Sequence, residues 1–262
     1  MNPKLKQFLK KTFPLGLLVA ADRAKSKILN KFRYLEFLKE WKQFKQASAK
    51  AGDSRFALSS KNFWPILHEK ASTHDFDRHY IYHPAWAARK LAEIKPESHI
   101  DISSTLHFST TVSAFVPVKF YDYRPAKVTL SNFSSGSADL LKLPFADSSV
   151  KSLSCMHTLE HIGLGRYGDP IDPTGDLKSM KELQRVLAVG GSLLVVVPVG
   201  KPKVQFNSQR IYSYDQVVSA FSQLQVREFT LLPDEGDLIF NADKSLVEKQ
   251  VYGMGCFWFV KP

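Results

Sequence analysis

Two histidines and a glutamate share one short segment, in the order His157, Glu160 and His161. Histidine exchanges a proton near neutral pH, and a neighbouring carboxylate can hold its ring in one orientation. We therefore predict that these three side chains carry the chemistry, with one histidine acting as a base. The segment also fits the H-x-x-E-H pattern of a class of zinc peptidases. It follows an apolar run rather than lying inside a long helix, so we expect no metal.

Acidic residues stand at the ends of consecutive strand-like runs. Asp101 closes the first run and Asp122 the second, and Asp139 follows shortly afterwards, next to Leu140. In open α/β sheets, ligands bind at the carboxyl ends of the strands, and an acid ending the second strand can accept hydrogen bonds from ribose hydroxyls. We predict a pocket for a nucleoside-bearing cofactor that includes these four residues, with Asp139 placed to receive an adenine amino group.

The stretch 163–173 is the most unusual part of the sequence, with three glycines and two prolines that define a loop. Loops at this edge of a sheet often carry function, so we predict that it contacts the substrate. The alternative is a purely structural loop in which Arg166 pairs with an aspartate of the same loop. Arg166 and Arg210 together could bind a phosphate or carboxylate through forked hydrogen bonds. The predicted substrate contacts are Arg166, Tyr167, Asp169, Asn207 and Arg210.

Strand-like and helix-like segments alternate from about residue 78 onwards. The clearest helix covers 174–188, and the wholly apolar run 192–198 is typical of a central parallel strand. The alternation predicts an α/β fold with a doubly wound, mostly parallel, seven-stranded sheet. Further strands are expected at 98–102, 116–122, 137–141, 150–156, 226–232 and 251–260, and further helices at 78–94, at 107–115 and after Ser213.

The net charge of +11 is concentrated near the amino terminus. The first fifty residues hold 13 Lys and Arg against 3 Asp and Glu, whereas the other 212 hold 23 against 22. Because basic and acidic residues nearly balance outside the first fifty residues, we do not expect that part of the chain to bind nucleic acid. Residues 1–60 therefore predict a basic helical extension and linker, and residues 61–262 the α/β domain. The aromatic stripe at 34–44 could bring residues 1–50 to an anionic membrane surface, or could pack on the domain.

The remaining composition fits a cytoplasmic protein. Cys155 and Cys256 lie far apart in apolar runs, so neither a disulfide nor a cysteine-based zinc site is predicted. No apolar run reaches the ~18 residues of a membrane-spanning helix. The segment up to Ala21 imitates a signal peptide, but Pro14 interrupts it and basic residues follow at once. Export is therefore the less favoured alternative.

Two longer segments resemble a known family. ADLLKLPFADSSVKSLSCMHTLEHIG (138–163) and KELQRVLAVGGSLLVVVP (181–198) look like those of class I S-adenosylmethionine-dependent methyltransferases. EHIGLGRYGDPIDPTGD (160–176) resembles a little-characterised branch, a domain of unknown function in bacterial and nematode proteins. Bacterial members can be associated with surface-polysaccharide genes. The resemblance implies S-adenosylmethionine as cofactor and a small polar acceptor, a sugar or surface-glycan precursor, as substrate.

The first loop departs from that family's pattern. The family has acid-x-Gly-x-Gly-x-Gly, whereas this chain has Asp101-Ile-Ser-Ser-Thr-Leu-His107, without glycine. Ser103 stands where the first glycine would be, and it is predicted to contact the cofactor. Serine hydroxyls could donate hydrogen bonds to the cofactor, or could fill its pocket. The second possibility predicts a degenerate domain that binds a partner or glycan without catalysis.

Overall fold

The computed structural model describes residues 15–70 and 76–262, with side chains from residue 24 onwards. The chain divides into two compact units, Met1–Asp75 and Phe76–Pro262. The lysine-rich residues 1–14 lie outside the described residues. In the described part of the chain, no helix has the length and apolar character needed to cross a membrane.

One long helix, α1 (Leu15–Ala51), forms most of the first unit. The segment that follows it returns along the helix, because the ring of Phe63 meets Phe37 and Trp41 edge-on, at centroid distances of 5.0 and 5.1 Å. Lys70 then pairs with Glu36 at 3.1 Å. Part of the predicted aromatic stripe is thus covered by a segment of the same unit.

The second unit is an α/β domain with helices on both sides of a seven-stranded sheet. Its main helices are α2 (Arg78–Ile94), α3 (Leu106–Val112), α4 (Gly175–Val186) and α5 (Tyr214–Ala220). Its strands are β1 (His99–Ile102), β2 (Val118–Asp122), β3 (Phe133–Ser137), β4 (Val150–Met156), β5 (Leu187–Val199), β6 (Lys203–Gln205), β7 (Gln209–Ile211), β8 (Gln225–Leu232) and β9 (Gly253–Val260).

The sheet order is β3-β2-β1-β4-β5-β9-β8, and β9 alone runs antiparallel to its neighbours. The order reverses between β1 and β4, which is the point where doubly wound folds bind ligands. β6 and β7 form a separate two-stranded hairpin. The predicted fold class, a doubly wound and mostly parallel seven-stranded sheet, is confirmed.

The core lies on both faces of the sheet. Val195 of β5 packs on the face covered by α4, and Val196 packs on the face covered by α2. Because side chains alternate along a strand, a central strand needs apolar residues at every position. This explains the uninterrupted apolar run of β5. Met180 and Leu183, three positions apart on α4, are both fully buried against the sheet.

Two predicted elements lie elsewhere than expected. The third strand covers Phe133–Ser137 instead of 137–141. It is an edge strand of mostly small polar residues, so it lacks the apolar alternation that marks a strand. Helix α4 ends at Val186, and β5 begins at the next residue and continues through the Gly190-Gly191 pair.

Candidate functional site

A cavity of about 400 Å³ opens at the carboxyl ends of β1, β2 and β4. This volume lies in the range of small-molecule sites. Its wall includes residues that follow three parallel strands, so the strand order brings together side chains far apart in sequence. The predicted site residues that line it are Ser103, Asp122, Asp139, Leu140, His157, His161, Tyr167 and Asp169.

Asp101 does not reach this cavity. Its carboxyl oxygens accept hydrogen bonds from Ser109 Oγ and Ser154 Oγ, both at 2.5 Å, and the residue is fully buried. Burial raises its pKa to about 6. The prediction of a direct cofactor contact is corrected accordingly. Asp101 joins the end of β1 to α3 and β4, and so supports the floor of the cavity.

The loop after β1 keeps a glycine-like backbone without glycine. Ser103 has φ 54°, in the left-handed region, which disfavours any residue with a Cβ by about 1–2 kcal/mol. Its N–H donates to Tyr121 O at 2.7 Å, and Thr158 Oγ1 donates to its carbonyl at 2.8 Å. Ser104 Oγ accepts the N–H of Met156 at 3.0 Å. These contacts with β2 and β4 hold the loop in its strained form.

Asp122 and Asp139 line one side of the cavity. One oxygen of Asp122 accepts the N–H of Arg124 at 2.8 Å, and one oxygen of Asp139 accepts the N–H of Leu141 at 2.9 Å. These local bonds fix both carboxylates at the ends of their strands. Leu140 is buried between them and supplies an apolar wall. This side of the cavity therefore offers acceptors for hydroxyl and amino groups beside an apolar surface.

His157, Glu160 and His161 converge as predicted. Glu160 Oε1 lies 2.8 Å from His157 Nδ1 and 3.9 Å from His161 Nε2. Burial lowers the pKa of His157 to about 4 and raises that of Glu160 to about 7. Both histidines line the cavity, whereas Glu160 lies behind them. When Nδ1–H of His157 donates to Glu160, His157 Nε2 is left as a proton acceptor.

Two further histidines pack against His157. The ring centroids of His79 and His83, from α2, lie 5.2 and 5.1 Å from that of His157. Burial lowers the pKa of His79 to about 4 and that of His83 to about 3. In the described part of the chain, His157 Nε2 and Glu160 Oε2 are buried without a hydrogen-bond partner. The prediction missed His79, although the four-residue spacing from His83 places both on one helix face.

No group of three ligating side chains among the described residues could hold a metal ion. The H-x-x-E-H pattern instead forms a turn after β4, with Leu159–His161 in a single 3-10 turn. The fixed spacing of metal-binding histidines requires the interior of a longer helix.

The loop 163–173 is stabilised by hydrogen bonds between its own backbone amides and the carboxylate of Asp169. Asp169 accepts N–H groups of Gly163 at 2.7 Å and Tyr167 at 3.2 Å. At Gly163 a Cβ would lie 2.0 Å from the carbonyl oxygen of Asp172, so only glycine fits. Arg166 is exposed and forms no ion pair with either aspartate, which corrects the alternative of an internal pair. Asp172 pairs with Lys178 at 2.7 Å instead, and Asp169 bonds to backbone amides.

Arg210 and Asn207 do not line the cavity. Arg210 is buried, and its Nη1 donates to Ile162 O at 2.7 Å while its Nη2 donates to Pro173 O at 3.3 Å. Its Nε lies 3.5 Å from Asp176 Oδ2. Arg210 thus clamps the two ends of the loop 163–173, and its predicted contact with substrate is corrected to a structural role. Asn207 is exposed in the turn between β6 and β7.

The sequence prediction also missed Arg124, which lines the cavity two residues after Asp122. Its guanidinium carbon lies 5.5 Å from the ring centroid of Tyr167, within the range of cation–π contacts. Arg124 follows β2, and Tyr167 belongs to the loop after β4. Only the strand order brings them together, so no local sequence signal marks this contact.

Comparison with protein families gives one match. Residues 144–225 match the family described as "Caenorhabditis protein of unknown function, DUF268". This agrees with the predicted resemblance to a domain of unknown function, and the description assigns no activity. A search of the curated proteins gave no match.

Solved structures show the same fold. The MccD protein is 13% identical, with a TM-score of 0.50, over 68% of this chain and 96% of that chain. The second unit has the Rossmann-like methyltransferase fold. The N-methyltransferase NodS from Bradyrhizobium japonicum WM9, solved with S-adenosyl-L-homocysteine, is 11% identical with a TM-score of 0.49, over 72% and 90% of the two chains. At such identities the likeness concerns the fold alone.

The buried position of Asp101 predicts a large effect of Asp101→Ala on stability. The change removes the acceptor of two buried hydroxyl groups, and each unsatisfied group costs about 1–3 kcal/mol. We expect the free energy of unfolding to fall by about 2–5 kcal/mol in urea titrations. Asp139→Ala, at an exposed position, is the control and should change it by less than about 1 kcal/mol. Equal stability of the two variants would contradict the supporting role of Asp101.

Stability should also fall as the pH is lowered from about 6.5 towards 4. Three buried histidines and one half-buried histidine have lowered pKa values, so the unfolded chain binds more protons than the native chain across this window. The raised pKa values of Asp101 and Glu160 have the opposite effect, because the native chain holds these two protons more tightly than the unfolded chain. With four histidines against two carboxyl groups, we expect the net effect of acidification to be destabilising. Urea titrations at several pH values measure the slope. The four histidines are His79, His83, His99 and His157.

His99→Asn tests the origin of that slope. His99 is fully buried between Ser152 and Ser154 and touches no cavity residue through these bonds. The variant should be less stable at neutral pH, yet should lose less stability on acidification than the unsubstituted chain. A free energy of unfolding that stays constant or rises between about pH 6.5 and 5 would contradict the prediction.

Proposed function

We propose that the second unit is an S-adenosylmethionine-dependent methyltransferase acting on a small polar acceptor. The observation that carries the proposal is the cavity at the switch in strand order, where Asp122 and Leu140 stand beside His157 and His161. An acid after the second strand and an apolar wall suit the ribose and adenine of such a cofactor. The fold of the solved structures described above supports the same activity.

The chain's own residues fit the cofactor. Asp122 would accept hydrogen bonds from ribose hydroxyls, Asp139 would receive the adenine amino group, and Leu140 would contact the adenine ring. Ser103 would present its backbone in the left-handed form that glycine usually supplies. When bound, S-adenosylmethionine supplies an activated methyl group for transfer to a nucleophile.

His157 is proposed as the base that takes a proton from the acceptor. Glu160 lies 2.8 Å from its Nδ1, so Nε2, which is buried without a hydrogen-bond partner, is the ring nitrogen left to take the proton. His161 Nδ1 donates to Ser208 O at 2.7 Å. His161 Nε2 lies 3.4 Å from Arg166 Nη1, so His161 is proposed to position Arg166 beside the acceptor site. Both imidazoles are uncharged near neutral pH, as a base must be before it takes a proton.

A sugar or surface-glycan precursor is proposed as the acceptor. Tyr167 and Asp169 line the cavity next to His161 and combine an aromatic face with hydrogen-bonding groups. Pockets for small ligands pair apolar or aromatic walls with a few placed polar groups. The loop 163–173 is rigid because Arg210 and Asp169 hold it, so its exposed side chains can discriminate between acceptors.

A degenerate domain without catalysis is the second candidate. It is favoured by the absence of glycine from the loop after β1, where the side chains of Ser103 and Ser104 occupy space that glycine leaves free. Such a domain would bind a partner or glycan and would not bind the cofactor. Cofactor binding therefore separates the two candidates.

We also propose that the first unit contacts anionic membrane surfaces. Phe32 is 66% exposed and Trp64 84% exposed, and Ile28 and Leu35 lie on the same side of α1 as Phe32. Exposed lysines lie among them on α1. Basic side chains next to exposed aromatic residues suit the interface of an anionic bilayer.

Asp122→Ala tests the cofactor proposal. The variant loses the acceptor for ribose hydroxyls, so its affinity for S-adenosylhomocysteine should fall by about 1.5–3 kcal/mol in calorimetry. Asp147→Ala, which changes an exposed acid outside the cavity, is the matched control. The melting temperature of the Asp122 variant should stay close to that of the unsubstituted chain, because Asp122 is only half-buried. Absence of calorimetric heat with the unsubstituted chain at millimolar ligand favours the degenerate domain.

Phe32→Glu tests the membrane proposal. The full chain should sediment with vesicles that contain anionic lipid and should be released as salt rises, because exposed charges are screened. Loss of one inserted aromatic side chain should weaken vesicle binding by roughly tenfold. Phe115→Glu, at an exposed phenylalanine of the second unit, should leave binding unchanged. Equal binding by both variants would remove the α1 surface from this role.

A further inference from the structure

We infer that the acceptor carries a phosphoryl group, which Arg124 and Arg166 bind together at Tyr167. The inference rests on the proposed function and names the chemical class of its substrate. The guanidinium carbons of Arg124 and Arg166 lie 5.5 and 5.2 Å from the centroid of the same Tyr167 ring. They come from different parts of the chain and both contact Tyr167, a residue that lines the cavity.

Neither guanidinium is neutralised by the described residues. Arg185 and Arg210 lie within 4.0 Å of carboxylates, but Arg124 and Arg166 have no such partner in the described parts of the chain. The acids of the neighbouring loop are engaged elsewhere: Asp169 bonds to backbone amides, and the partners of Asp172 are Lys178 and Thr174. Two cations without a carboxylate partner among the described residues therefore lie around the ring of Tyr167, which lines the cavity.

The position of Arg166 is fixed from behind. Its Nη1 lies 3.2 Å from Ser208 O and 3.4 Å from His161 Nε2. One amino group of the fork is thus held, and the rest of the guanidinium stays available on an exposed side chain. Because His161 also lines the cavity, an anion on Arg166 would lie next to the acceptor site and not on a remote surface.

The pair of charges favours a phosphoryl group over a carboxylate. A single carboxylate carries one negative charge and two oxygens, so it would match one guanidinium and leave the other unpaired. A terminal phosphoryl group carries up to two charges and three acceptor oxygens. It can bond to two planar forks at once, which gives the strong, charge-assisted geometry typical of arginine–phosphate contacts.

The experiment titrates the full chain with inorganic pyrophosphate, which stands for a phosphoryl group. A parallel titration with acetate stands for a carboxylate. Arginine Nε–H signals of ¹⁵N-labelled protein are assigned with Arg124→Gln and Arg166→Gln. Arg227→Gln is the control, because Arg227 is exposed on β8, outside the cavity lining. We expect pyrophosphate to shift the Arg124 and Arg166 signals with one common affinity, and each cavity substitution to weaken that affinity roughly tenfold. The control substitution should have no effect on it.

The affinity for S-adenosylhomocysteine, measured separately, should be unchanged in Arg227→Gln, because Arg227 lies outside the cavity lining. If the unsubstituted chain does not bind S-adenosylhomocysteine but responds to pyrophosphate, the proposed function is wrong and the phosphoryl site stands. Cofactor binding without any shift of the Arg124 and Arg166 signals overturns the phosphoryl site alone. An acetate response as strong as that of pyrophosphate, at the same two signals, overturns the phosphoryl class. A pyrophosphate affinity that neither cavity substitution lowers also overturns it, since the basic first unit would then hold the anion.

Discussion

The carboxyl group of Asp101 joins three elements beneath the cavity, and the shape of the site depends on it. Its hydrogen bonds reach Ser109 on α3 and Ser154 on β4, and Ser154 also lies 2.8 Å from His99 Nε2. A buried acid without such partners would be strongly destabilising. With them, it fixes how α3 and β4 meet β1. The loop after β1 is thereby held in position without the glycines that the fold usually places there.

Two residues in the left-handed region frame the cavity above this network. Ser103 follows β1 with φ 54°, and His157 follows β4 with φ 53°. Non-glycine residues persist in such conformations only where the surrounding contacts determine them, and they concentrate at functional sites. Ser103 is held by Tyr121 and Thr158, and His157 by Glu160 and the histidines of α2. The strain lies at the two strand ends that a ligand would contact.

The fold could be predicted from the sequence because it depends on local patterns, and the same patterns place candidate site residues at strand ends. Apolar runs mark β4 and β5, and the acid at the end of β2 follows from the register of that strand. The assignments that failed depend on tertiary contacts. Asp101 and Asp122 look alike in sequence, yet only the packing of α3 buries the first. Arg210 was expected at the substrate and Arg124 was not considered. The closed ends of the loop 163–173 bind the guanidinium of Arg210, whereas strand order brings Arg124 to the cavity.

The site separates neutral from charged groups over a short distance. Burial keeps His157 and its neighbours on α2 uncharged, while the exposed guanidinium groups of Arg124 and Arg166 keep their charge around the ring of Tyr167. A guanidinium deep in the cavity would lower the pKa of the histidine base still further and so weaken it as a proton acceptor. Around Tyr167 the same charges can attract and orient an anionic acceptor, and Arg166 does so from a position 3.4 Å from His161 Nε2. Burial and the charge of Arg166 both lower the pKa of His161, so a residue proposed for recognition also helps to keep that imidazole uncharged.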